Sequence, residues 1–449
     1  MRKVISLLFL VSLISACLVG CGVSEPIIEE PNKDIETPLE TPTENPTEKP
    51  TENPIVSVTE NGIGFDYFDT NLINYINNSE FKDMNYCVSP LSIKLALSLV
   101  AEGANGKSQE EVLRVLGVNS VEDLRNLSLK INSISNRILE DSEHKIETYK
   151  EFPYMYTGEP SMSVLKVNNS IWKNIEKPGK LLNSYKDIVK EYYNGVSEDL
   201  AAHLLVDNIN NWVNENTNGL IPQVVDDSVS LSNIVLVNTL YMKSSWLNQF
   251  DEFNTKEQEF KTITGEVVLK DFMRDQNNYY YYEDKDTKLV ILNTESNIYV
   301  AYVLGDNTNI LEKIRDSSLE DTILELPKME IESSFDSLLI DFMQYSGASA
   351  VFNPSQADFS NMIELENGEN VYIGDIIHKT KLLTDETGIE GAAVTAVMLN
   401  CTGAYEEPRE PKKFIADEPF SFYVFTDNSD SFDNIFSDID LLFYGQYVE

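Results

Sequence analysis

Residues 384–402 read TDETGIEGAAVTAVMLNCT, and a turn-rich, Pro-interrupted segment follows to Pro411. The core of this stretch, residues 388–399, is rich in small and β-branched side chains and has no proline, which suits a strand. Gly388, Gly391 and the alanines are also small enough for the same segment to live as an exposed loop. Alternate residues separate into one face of Ile389, Gly391, Ala393, Thr395, Val397 and Leu399 and another of Glu390, Ala392, Val394, Ala396 and Met398. Only the second face carries a charge. A segment able to slide into a sheet as a central strand needs that parity, because a glutamate aimed at the core costs several kcal/mol to desolvate.

The 449 residues carry 74 acidic against 34 basic side chains, a formal net charge of −40. That balance argues against nucleic-acid, polyanion or anionic-membrane partners, all of which need basic footprints. Met1-Arg2-Lys3 followed by the apolar run of residues 4–19 is a secretory leader, too short and too N-terminal to favour a mature transmembrane helix. It ends in Leu18-Val19-Gly20-Cys21, which resembles a bacterial lipoprotein box. Cleavage before Cys21 and lipidation of its thiol would hold the protein outside the cytoplasmic membrane; Cys17 is an overlapping candidate, and a plain secretory signal is the alternative. From Gly22 the chain is rich in Pro, Thr and Glu, with the repeat Pro42-Thr-Glu-Asn, Pro46-Thr-Glu-Lys, Pro50-Thr-Glu-Asn. Such a composition buries no core and stays extended, so it reads as a stalk. The expected organisation is a signal peptide over 1–20, a stalk over 21–60 and one large domain over 61–449. Outside the leader the cysteines are Cys87, in an apolar strand and expected to be buried, and Cys401, in the exposed loop. No structural disulfide is expected.

Folded sequence begins near Gly62, where Phe65, Phe68, Leu72 and Tyr75 recur at helical spacing. A strand over 85–88 leads to Ser89, a good N-cap, and Pro90, suited to the first helical position. Ile93, Ala96, Leu97 and Val100 form the expected buried stripe, and Ser108 with Glu111 reads as a capping box for the next helix. Leu124, Leu127, Ile131, Ile134 and Ile138 mark a long amphipathic helix. Residues 164–172 are strand-like, 182–193 helical, and Val206, Ile209 and Val213 suit a helix packed across a sheet, stopped by Gly219. A strand over 234–242 comes next. The aromatic run Tyr279–Tyr282 reads as a strand with alternating faces, and the acidic residues 429–440 as a surface insertion.

His144, His203 and His378 are isolated and fit no metalloenzyme pattern, and neither a G-x-S-x-G elbow nor a phosphate-binding glycine loop is present. No catalytic, metal or cofactor role is expected.

Several of these stretches resemble the serpin family. Glu386-Thr-Gly388-Ile389-Glu390-Gly391-Ala392-Ala393-Val394-Thr395 is similar to the hinge of the serpin reactive-centre loop. Residues 85–116, NYCVSPLSIKLALSLVAEGANGKSQEEVLRVL, resemble the family pattern N-x-x-x-S-P-x-S-x-x-x-A-L-x-x-x-x-x-G-A-x-G-x-T. Residues 209–222, Leu236-Val-Asn238-Thr, Leu326-Pro-Lys-Met329, Phe414-Ile-Ala-Asp-Glu-Pro-Phe420 and Leu442-Phe-Tyr-Gly-Gln446 match further family motifs. Departures occur at Ser244, where K-G-x-W is usual, and at Gly374, where serine is usual.

The resemblance implies an α+β fold, with helices around a large mixed central sheet and two smaller sheets, and an exposed reactive-centre loop. It implies a non-enzymatic inhibitor of extracellular serine proteases: the protease attacks the loop, an acyl-enzyme forms, and the freed segment enters the large sheet as a new strand. The hinge would be Glu386, Gly388, Ile389, Gly391, Ala392, Ala393 and Thr395. A polar cluster under the central strands, the shutter, would join Ser89, Ser92, Asn238 and His378, with Trp246 near the top of the opening, the breach. Family spacing from Glu386 puts the reactive bond at Thr402–Gly403, with Leu399, Cys401 and Tyr405 as alternatives. Such a site suits subtilisin- or elastase-like proteases better than trypsin-like ones. In some relatives the long helix carries a basic stripe for heparin-like cofactors; here Arg125, Lys130 and Arg137 are diluted by Glu122, Asp123, Glu140 and Asp141, so no polyanion cofactor is implied. The expected protein is a monomer, membrane-anchored through lipid alone or secreted. The competing reading is a non-inhibitory serpin-fold binding or structural protein, suggested by Ile389 where Thr or Ser is usual.

Overall fold

A computed structural model describes residues 66–155, 160–365, 370–390, 410–429 and 435–449. In chain order these form α1 (Tyr67–Asn77), β1 (Tyr86–Val88), α2 (Pro90–Gly103), α3 (Gly106–Leu116), α4 (Val121–Glu151), β2 (Val164–Asn174), β3 (Lys180–Leu181), α5 (Asn183–Tyr193), β4 (Val196–Leu200), α6 (Ala202–Asn216) and β5 (Ile234–Ser245). Next come β6 (Lys256–Lys261), β7 (Val267–Glu283), β8 (Thr287–Asn293), β9 (Ile298–Gly305), α7 (Ile310–Arg315), β10 (Ser318–Pro327), β11 (Met329–Ser334) and α8 (Asp336–Tyr345). The last are β12 (Ile363–Glu364), β13 (Asp375–Ile377), β14 (Lys379–Thr384), β15 (Gly388–Ile389), β16 (Lys412–Ile415), β17 (Phe420–Asp427) and β18 (Ile439–Tyr447). The segments expected to form a leader and a stalk lie outside the described residues.

One mixed sheet has the order β11-β14-β15-β5-β2-β4, with β13 parallel to the start of β5. A second runs β1-β18-β17-β9-β8-β7-β10-β16, with β6 on β7. The two smaller sheets expected from sequence are continuous here, because β7 is 17 residues long and reaches from its hairpin with β6 into pairing with β8.

The α2 helix begins as its sequence requires. The Ser89 hydroxyl accepts from the Ser92 N–H at 3.1 Å, and Pro90 occupies the first turn, where no N–H is missed. Every residue of α2 is buried, not a stripe alone, since the helix lies between sheets and takes contacts on all sides. Its one lysine, Lys94, is therefore paired, with Asp66 and Asp69 each at 2.7 Å. Ser120 and Asp123 form a reciprocal capping box that starts α4.

The expected box at Ser108 and Glu111 is not formed. Asn105 caps α3 instead, one turn earlier, while Ser108 accepts from the Asp358 N–H and Glu111 from the Ser349 and Ala350 N–H groups. The spacing was right for a cap, but both side chains serve a neighbouring loop. Residues 429–440 are not simply a surface insertion either. Phe436 is fully buried against Tyr280, Tyr299 and Phe425, and Asp440 is buried beside Lys130 at 2.9 Å.

Strand β5 divides the molecule. Ile234, Leu236 and Met242 face the interior, whereas Val235 and Val237 join Trp172 under Leu205, Ile209 and Val213 of α6. Helix α6 thus lies across the outer face of the mixed sheet. Asn218 and Gly219, at φ 52° and 82°, turn the chain after it.

Candidate functional site

The site is built where β14 turns back into β15. Asp385 organises the turn: its carboxylate accepts from the Thr387 and Gly388 N–H groups at 2.8 and 3.2 Å, and its own N–H reaches the Gly388 carbonyl. The returning residues then enter the sheet. Gly388 lies opposite Ser245, and Ile389 lies opposite Ser244 on one side and Thr384 on the other. No side chain fits at 388, because a Cβ there would come within 2.3 Å of the Ser244 carbonyl oxygen. Ile389 is wholly buried, in the same apolar cluster as Met242, Trp246 and Leu382.

Trp246 fastens the turn from the β5 side. Its indole N–H donates to the Asp385 carbonyl at 2.8 Å and its backbone N–H to that of Thr387 at 2.9 Å. Glu386 is held by Lys328 at 2.8 Å and by the Thr255 hydroxyl at 2.7 Å. Burial pushes its carboxyl up, but these two partners outweigh burial and hold it below its ordinary range. Thr255 and Lys328 had no sequence signal as a pair; the fold alone brings them to Glu386.

Below Ile389 the sheet has a seam. Residues 375–377 pair in parallel with 235–237, and residues 244–245 take the returning hinge. Between those levels no pairing among the described residues joins 238–243 of β5 to 378–383. Tyr241 and Lys243 lie on the outer face of this stretch, where the Glu390 carboxylate meets the Tyr241 hydroxyl at 3.1 Å and the Lys243 ammonium at 3.8 Å.

At the lower end of the seam Ser89, Ser92, Asn238 and His378 come together. The Ser92 hydroxyl donates to the Asn238 side-chain oxygen, and the Ser89 N–H donates to His378 Nε2 at 3.2 Å. Nε2 is therefore an acceptor. Burial lowers the imidazole pKa to about 3, so His378 is neutral wherever the protein works. Asn238 in turn donates to Asn169 at 2.7 Å, and Asn169 to the Tyr193 carbonyl at 3.2 Å. Sequence reasoning missed Asn169, a polar residue within a strand whose neighbours only the paired register reveals. Cys87 is free and buried, and burial drives its thiol pKa upward, which makes it inert.

Three basic residues of α4, those considered for a polyanion stripe, are engaged locally. Arg125 grips Glu102 at 2.6 Å, Lys130 meets Asp438 and Asp440, and Arg137 donates to Asn428. Among the described residues no group of three or more His, Cys, Asp or Glu side chains is placed to hold a metal, and no helix is long and apolar enough to cross a membrane. Gly391, Ala392, Ala393, Thr395, Leu399, Cys401, Thr402, Gly403 and Tyr405 lie outside the described residues, as does Cys21.

The family model for serpins, described as serine protease inhibitors, matches residues 65–448, and the chain belongs to that family. Serpin B10 of Otolemur garnettii is 30% identical over 400 residues, spanning 81% of this chain and 93% of that protein. An uncharacterized serpin-like protein of Thermococcus kodakarensis is 29% identical over 384 residues, 79% of this chain and 82% of its own. Among solved structures, the thermophilic serpin tengpin in its native state superimposes with a TM-score of 0.67 at 22% identity, covering 85% of this chain and 92% of the other. The fold is the serpin fold, and its members are mostly protease inhibitors, not catalysts.

Proposed function

We propose that this protein inhibits extracellular serine proteases as a suicide substrate whose cut loop enters the seam between β5 and β14. The observation that carries this reading is the register at Ile389. Continued downward from the pairings with Ser244 and Thr384, that register would set Thr395 level with Asn238 on one side and His378 on the other. The uncharged face of Ile389, Gly391, Ala393 and Thr395 would then point inward, and Thr395 would bring a hydroxyl to a cluster of polar partners. Further entry requires residues 375–377 to leave 235–237, so the cluster at Ser89, Ser92, Asn238 and His378 sits where zipping must change from filling to displacing. Each ladder bond gained contributes about 0.5–1.5 kcal/mol, and the buried side chains add to it. Work of that size, applied while the protease is still acylated, pulls its serine from the oxyanion donors that deacylation needs.

Ile389 in place of Thr or Ser supports this reading instead of opposing it, because the isoleucine already fills an apolar site at the seam. We assign the reactive bond to Thr402–Gly403, the partner to a subtilisin- or elastase-like protease, and the location to the outer face of the cell envelope through lipid on Cys21. The working form is a monomer needing no cofactor or polyanion.

Mixing the purified protein with subtilisin or elastase should give an SDS-resistant complex and a released peptide beginning at Gly403 by mass spectrometry. Complete cleavage without such a complex would instead mark a serpin-fold binding or structural protein.

A further inference from the structure

The loop leaves the sheet at one residue. Glu390 has φ 62°, the left-handed region that a residue with a side chain occupies at a cost. Up to its nitrogen the ladder is intact, since its N–H donates to the Leu383 carbonyl at 2.7 Å. The first departure from the strand is therefore at the Glu390 backbone. Gly391 is next in the chain, and a glycine would take a positive φ with no strain, yet the turn is made one residue earlier, on the glutamate.

Side-chain contacts tether Glu390 to the outer face of β5. The carboxylate accepts from Tyr241, whose hydroxyl also accepts from the Asn218 amide at 3.3 Å, and it lies 3.8 Å from Lys243. Extending the strand by one residue would set Glu390 opposite Lys243 on the same outer face, so these partners stay within reach after the turn unwinds. Stopped and extended forms thus differ mainly in the backbone angle of one residue.

We infer that Glu390 is the positioning residue that arrests the intact loop, its left-handed turn holding the segment at the mouth of the seam until cleavage frees it to extend. This rests on the trapping reading above. The turn's strain leans toward the extended form, and the cut removes the tether that opposes it. Residue type at 390 then sets the speed of zipping in opposite directions: glycine makes the stop comfortable, and a β-branched residue makes it harder to hold.

The test compares Glu390→Gly, Glu390→Val and Glu390→Gln in the full chain. After the loop is nicked, the rate at which thermal stability rises is followed, together with the moles of inhibitor consumed per mole of protease trapped. Glycine should slow the rise by roughly fivefold to thirtyfold, the range that a left-handed penalty of this kind converts to, and should raise the consumption ratio. Valine should speed the rise and make the intact protein lose activity sooner on warming. Glutamine, which keeps the backbone preference and removes the charge, should stay near wild type. Glycine and valine moving the rate the same way, or glutamine matching either, would overturn the assignment; should valine not fold, glycine against glutamine still decides. If the nicked wild type gains no stability, the trapping reading itself fails, an outcome separate from a wild type that gains stability while its variants do not diverge.

Discussion

Replacing Gly388 by alanine should eject the hinge from the sheet. The added methyl carbon would lie 2.3 Å from the Ser244 carbonyl oxygen and 2.8 Å from the Ser245 Cα, both backbone atoms just past Lys243, the last residue of β5 that β2 pairs, and held by hydroxyl bonds from Ser163 to Ser244 and from Ser161 to Ser245. Backbone atoms so held yield less readily than the two-residue strand opposite them, so residues 388–389 retreat. The loss comprises the burial of Ile389, worth roughly 1.5–3 kcal/mol, and ladder bonds at about 0.5–1.5 kcal/mol each. Water regained by the freed groups is already counted in those net values, which leaves about 3 kcal/mol. Spread over the unfolding entropy of a domain this long, at roughly 2 cal/mol/K per residue, that lowers Tm by about 4 °C. Scanning calorimetry of the intact protein measures the shift, and titration against elastase or subtilisin measures the second effect: an ejected hinge must re-enter before it can pull, so more inhibitor is cleaved per protease trapped. An alanine variant with wild-type Tm and wild-type consumption would refute the steric reasoning and with it the claim that these two residues start the insertion.

Acid should weaken the fold through His378. Its folded pKa, about 3, lies below the ordinary 6.5, so the unfolded chain takes up the proton first; the contribution is whole above pH 6.5 and fades as pH falls toward 3, at up to about 1.4 kcal/mol per pH unit. His378→Gln, which still offers Ser89 an acceptor, should flatten that part of the Tm-against-pH curve, and an unchanged slope would contradict it. Glu386→Gln removes an ion pair whose lysine is 40% exposed, so the cost is about 1 kcal/mol or less and should shrink further in high salt; a salt-independent loss would point to packing instead. A fatty-acid label should be incorporated by the wild type and not by Cys21→Ser, and label retained by that variant would exclude Cys21 as the anchor.

How much of the molecule was legible in its sequence depends on the range of each interaction. Helix α2 could be read because its cap, Ser89 with Pro90, and its apolar spacing lie within a few residues of one another, and α4 from its apolar spacing alone. The inward parity of Ile389 was equally local. What could not be read depends on residues far apart in the chain: Glu386 meeting Lys328 and Thr255, Asn169 completing the bonds of Asn238, and Ser108 turning from a cap position to the Asp358 N–H. Phe436 illustrates the same limit. An acidic stretch around it looks solvated, yet one aromatic ring among those charges fills a pocket of three others. The left-handed Glu390 gave no sign at all, because the glycine beside it is the residue that composition would choose for a turn.

The pairing of β1 with β18 has a consequence for how the molecule is made. Residues 86–88 find their ladder partner only in residues 439–447, so the second sheet cannot close until nearly the whole polypeptide is available. Contacts so distant in sequence form slowly. By then β5, β14 and the residues that follow Ile389 have already been synthesised. On the trapping reading proposed above, a chain in which the loop filled the seam first would have no loop left to offer a protease.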